Sequence, residues 1–196
     1  MNKRAIARLM HQRVEGLSQL GGYFFRQNVE LVLDGVLLEY RPQEVHLWHF
    51  RFPLFDDFGE NLLYSNRLQE GGVIAKGKLS DEAIVEHVVN HPELVDVLRP
   101  GPPARTCDFL EYLEGAEAML NPHARLVFAS GLVLDQEYAR ANAVLESMFA
   151  TMANRLSKRD AEHGASLLMR LGQSGESAAA LLETVIQKNR QAFGIR

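Results

Sequence analysis

The chain is poor in the residues that staple small folds or carry reactive chemistry. Its one cysteine, Cys107, excludes an internal disulfide. That suits a reducing compartment, and the cytoplasm is the expected setting. No apolar run approaches the roughly 18 residues that span a bilayer. The N-terminal MNKRAIARLMHQRVEGL is basic and amphipathic and lacks the apolar core and cleavage site of a secretory signal. No membrane role is expected. Neither sign of charge dominates: 21 Lys and Arg stand against 25 Asp and Glu, a net charge of −4. That offers no general attraction to nucleic acid, so no nucleic-acid partner is expected. A G-x-S-x-G nucleophile elbow is missing too, since Ala129-Ser130-Gly131 falls inside a helical pattern. Cys107 precedes His123, but nothing in the spacing joins them, and a lone cysteine reads as a small core residue.

What is present is aromatic and concentrated. Glu44 to Leu68 holds the single tryptophan, Trp48, and four of the ten phenylalanines: Phe50, Phe52, Phe55 and Phe58. Side chains alternate across a strand, so Trp48, Phe50, Phe52 and Leu54 share one face and Val45, Leu47, His49 and Arg51 the other. The first face reads as core and predicts a buried Trp48. The second is half apolar and half basic, and His49 with Arg51 forms a polar strip there. His46 and His49 fall on opposite faces and cannot chelate one ion together.

Around this strand the pattern predicts a helix from Asn2 to Leu20, ended by Gly21-Gly22. Strands follow, with Asp34-Gly35 as a hairpin turn, Arg41 to Glu44 as a second turn, and a short strand at Leu62 to Tyr64. Asp56, Asp57 and Glu60 read as a solvated loop. Pro100, Pro102 and Pro103 mark a boundary. Beyond it the spacing is helical: Asn121-Pro122 opens a helix, Asp135 to Glu137 is a tight turn, and further helices run to Phe193. The expected fold class is α+β, an N-terminal helix and antiparallel meander over residues 1–100, then antiparallel helical hairpins over 101–196.

Two motifs fall short of a known chemistry. Gly72 to Lys78 has the glycine spacing and lysine of a phosphate-binding loop, but Leu79 stands where the magnesium-binding hydroxyl belongs. It reads as a glycine-rich connection with solvated lysines. His87 and His91 share a helical face, yet no third ligand is patterned with them, and capping or surface roles fit better. No cofactor or metal is expected.

The Pro122–Met152 segment resembles a tetratricopeptide-type helical hairpin, with Ala129 and Ala141 as the small residues that let two helices approach. Phe50-Arg51-Phe52-Pro53-Leu54-Phe55, followed by Leu62 to Leu68, resembles bacterial domains of unknown function for which an immunity-type role beside secreted toxins has been suggested. That resemblance implies an α+β domain without catalytic chemistry. The functional expectation is a non-catalytic protein-binding or accessory protein, with Trp48, His49, Arg51, Phe55, Phe58 and Arg67 as candidate contacts and a protein partner or a second copy as ligand. The alternatives are an enzyme site assembled from His46, His49, Arg51, Asp56, Asp57 and Arg67, or a structural homo-oligomer.

Overall fold

The structure, a computed structural model, describes residues 1–59, 62–115 and 117–195. Glu60 and Asn61, part of the acidic loop named above, lie outside the described residues. The chain divides into two compact units: Met1–Phe52 with Leu62–Pro103, and Pro53–Asn61 with Ala104–Arg196. The architecture is α+β, a helix and antiparallel meander followed by helices.

In the first unit, α1 (Lys3–Arg13) starts at Asn2, whose side chain accepts hydrogen bonds from Arg4 and Ala5 N–H. This helix ends earlier than its spacing suggested. The chain turns at Gly16, with φ at +70°, and Leu17–Leu20 is instead strand β1. Gly21-Gly22 is therefore no helix stop. It is the two-residue turn joining β1 to β2 (Tyr23–Arg26), with Leu20 opposite Tyr23 and Gly21 in the left-handed region.

Strand β3 (Val32–Tyr40) runs straight through Asp34-Gly35, which is not a hairpin turn. Gly35 has no positive φ. Its role is clearance: a Cβ there would strike the Phe24 carbonyl and the Phe50 ring. The turn falls at Arg41 to Gln43, and β4 (Glu44–Pro53) follows. Two short strands, β5 (Asn66–Arg67) and β6 (Val73–Ala75), pair along β4 at different heights. Leu62 to Tyr64 is not a strand. The sheet order is β1-β2-β3-β4-β5, with β6 also on β4.

The sheet buries opposite faces along β4. Val45 and Leu47 join Ile6 and Met10 of α1, and Ile84, Val85 and Val88 of α2 (Asp81–Val89), in one apolar cluster. Farther along, Phe50 and Phe52 are buried on the other face, where Phe50 meets Tyr23 edge-on at 5.0 Å. Each face of β4 is thus apolar for half its length, which is why a single-core assignment misplaces Trp48. A short helix, α3 (Val95–Leu98), completes this unit.

The second unit holds α4 (Thr106–Glu114), α5 (Pro122–Leu134), α6 (Tyr138–Met152), α7 (Lys158–Leu171) and α8 (Gly175–Phe193). Residues 126–133 of α5 are all buried. A helix apolar on every side belongs at a centre, and α5 packs against each of α4, α6, α7 and α8. Asn121 caps it by accepting from His123 N–H at 2.9 Å. Gln136, with φ at +64°, turns the chain into α6. Ala129 and Ala141 are both fully buried.

Candidate functional site

The polar side chains of β4 form two separate groups, one on each face. Trp48 is half-buried, against expectation. Its indole N–H donates to the Glu39 carboxylate at 3.1 Å. His46 pairs with Glu44 at 2.6 Å and lies 3.5 Å from Glu39. Arg67 is directly opposite Trp48 in the β4–β5 ladder, and Val73 is opposite His46 in the β4–β6 ladder. Directly paired residues share a face, so His46, Trp48, Arg67 and Val73 line one surface, with Arg67 exposed and Val73 44% exposed.

His49 and Arg51 lie on the opposite face. Asp34 joins them, accepting from His49 Nε2 at 2.6 Å and facing Arg51 at 3.5 Å. The constellation His46, His49, Arg51, Asp56, Asp57 and Arg67 is therefore divided between two faces of the sheet in the first unit and a loop of the second.

His87 and His91 both face the loop before β6. His91 Nε2 lies 2.8 Å from the Glu70 carbonyl while its Nδ1 accepts from Glu93 N–H at 3.2 Å, and His87 Nε2 lies 3.2 Å from the Gly71 carbonyl. These imidazoles hold backbone. Among the described residues no group of three or more His, Cys, Asp or Glu side chains is arranged to hold a metal ion. Cys107 is exposed, not the core residue its solitude suggested.

The second unit contains the densest cluster of ionisable groups. Asp56 is fully buried, which corrects its reading as part of a solvated loop. Its carboxylate accepts from Phe58 N–H at 2.8 Å and from His123 Nε2 at 3.1 Å. On the other side of the ring, His123 Nδ1 lies 2.7 Å from Asp160. Two carboxylates can only accept, so both ring nitrogens donate and His123 is an imidazolium. Burial alone would lower its pKa, but hydrogen bonds and charge from Asp56, then Asp160, outweigh this and push it up to about 8.

The surroundings hold this arrangement in place. Ser157 caps α7, accepting from Asp160 N–H at 3.1 Å and donating to the Asp160 carboxylate at 2.7 Å. Asn189 of α8 donates to the carbonyls of Leu54 and Asp56 at 2.8 and 2.9 Å. Arg159 pairs with Asp57 at 3.1 Å and lies over Phe58, whose ring meets His123 edge-on at 5.1 Å. Phe58 is 50% exposed, whereas Phe55 is buried against Phe109 and leaves no contact surface. His163 keeps a buried Nε2 without a hydrogen-bond partner, and burial lowers its pKa. The cavity these residues enclose is about 10 Å³, room for about one water. Both His123 nitrogens are engaged and Ser157 is turned to its own helix. Among the described residues the cluster is a charge lock within the fold: the one unengaged base, His163, faces a cavity of about one water.

His123 and Asp160 were missed as partners by sequence reasoning. The local signals existed: Asn121-Pro122-His123 opens a helix, and Ser157-x-x-Asp160 follows the capping-box spacing. Nothing in either pointed to Asp56, far away in the chain.

Comparison with family models, with curated proteins and with solved structures returned no match to this chain. Among the described residues no helix is long and apolar enough to cross a membrane.

Proposed function

We propose that this chain is a non-catalytic protein-binding accessory protein, of the immunity type that the β4 resemblance suggests, and that it engages its partner through the face carrying Trp48 and Arg67. One observation carries the reading. A half-buried tryptophan, oriented by Glu39, lies beside an exposed arginine and an exposed valine on a sheet face. Tryptophan and arginine dominate binding energy at protein interfaces, and a ring already oriented loses little freedom on binding. The alternative, an enzyme site assembled around β4, needs His49 and Arg51 to act together with His46 and Arg67 from the opposite face of the sheet.

The test uses Arg67→Glu and Trp48→Ala. Arg67 is exposed, so its reversal should leave stability within about 0.5 kcal/mol of wild type while abolishing partner capture. Loss of capture by a folded Arg67→Glu protein supports the reading. Capture of the same partner with unchanged affinity by both variants refutes it. Solution mass at matched concentration distinguishes a second copy from a different protein as the partner.

A further inference from the structure

A second surface of the first unit gathers positive charge from three separate elements. Lys3 comes from the first turn of α1, Arg41 from the β3–β4 turn, and Lys76 from just after β6. Together with Tyr40, Pro42 and Glu44 they line an open groove of about 350 Å³. The backbone beneath is firm: Arg41 N–H donates to the Glu44 carbonyl and Lys76 N–H to the Gln43 carbonyl, both at 2.8 Å. The Lys3 helix is fixed by its Asn2 cap.

Two of the three cations, Lys3 and Lys76, are not paired within the groove. Lys3 Nζ sits 4.7 Å above the centre of the Tyr40 ring, and neither Lys3 nor Lys76 has a carboxylate partner among the described residues. Glu44 is engaged by His46 at 2.6 Å. Arg41 spends one nitrogen on Glu39 at 2.5 Å, leaving other N–H groups of its five. Burial and the charge of Asp81 hold the Tyr40 phenol protonated, pushed up to about 12.

We propose that this groove is a binding site for a small phosphate ester, with the phosphate between Lys3 and Lys76, Arg41 at its rim and the organic portion against Tyr40 and Pro42. Several cations on separate elements suit two charges concentrated on one phosphate group better than one carboxylate or two carboxylates held apart. A groove of this size exceeds a bare ion and falls within the range of small-molecule sites. The glycine-rich stretch takes part in an unexpected way. It presents Lys76 to the groove, whereas Lys78 lies on the following turn outside it.

Calorimetric titration of the full chain at low ionic strength, with adenosine monophosphate, inorganic phosphate and succinate as probes, tests this. Saturable binding of the ester is expected, with succinate at least about tenfold weaker. Lys3→Glu and Lys76→Glu should each weaken the ester about tenfold or more. Lys78→Glu should leave it unchanged, and circular dichroism should show all three variants folded. No saturable heat with either phosphate compound overturns the proposal. So does an equal loss in Lys78→Glu, which would mean diffuse surface charge, or succinate binding as tightly as the ester.

Discussion

Stability should fall as pH rises through the His123 pKa, and replacing His123 should erase that dependence. In the folded chain the imidazole is held between Asp56 and Asp160 at 3.1 and 2.7 Å, and its pKa is about 8 against an ordinary 6.5. The folded state therefore keeps a proton that the unfolded chain has already lost between these values. The lock contributes fully below pH 6.5 and is lost as pH climbs through 8. A shift of this size corresponds to about 2 kcal/mol. The side chain is 13% exposed, so solvent screens little of it. His163 acts in a different window: its pKa is lowered by burial, so it costs stability only as pH drops below 6.5. The assay is urea denaturation of wild type and His123→Gln at intervals from pH 6 to 9. Wild type should lose about 2 kcal/mol across the upper window, and the variant should be flat there. The variant should also be about 3–5 kcal/mol less stable at neutral pH, because two buried carboxylates lose their cation. Parallel curves for the two proteins between pH 6.5 and 8.5 would refute the assignment of His123 as a buried imidazolium.

Two packing predictions follow from tight approaches. Gly35→Ala should destabilise by about 1–3 kcal/mol, since the new methyl meets the Phe24 carbonyl and Phe50 ring; a wild-type denaturation midpoint would mean β3 and β4 pack differently. Ala129→Leu, at a fully buried position on α5, should cost about 1–3 kcal/mol. Arg140→Ala, which removes only exposed pairs to Glu114 and Glu137 and a stacking contact on Phe128, should cost about 1 kcal/mol or less. Equal midpoints for these two variants would remove the case for a close α5–α6 hairpin.

The fold class was legible in the sequence because two periodicities follow one another, alternation between α1 and α2 and helical spacing from α2 onward. Boundaries failed where one local signal serves two structures. Gly-Gly after an amphipathic run reads as a helix stop and also as a two-residue hairpin turn, and Leu17 to Leu20 suits either. Asp-Gly reads as a hairpin turn until the Phe50 ring needs the space a side chain would fill. Trp48 was misplaced because β4 is apolar on different faces at its two ends, which alternation within one strand cannot reveal. The lock was the least legible part. Asp56 and His123 meet because the segment beginning at Pro53 leaves the sheet and packs with the helices, and no local pattern encodes a pairing of that span.

The reading of the Trp48 face as a recognition surface is tested most directly by affinity capture from extracts of the source cell on immobilised wild type and on folded Arg67→Glu, with bound protein quantified by mass spectrometry. The expected result is one protein retained in stoichiometric amount on wild type and lost on the variant, and then binding purified wild type directly. Retention of the same proteins in the same amounts on both surfaces would contradict it.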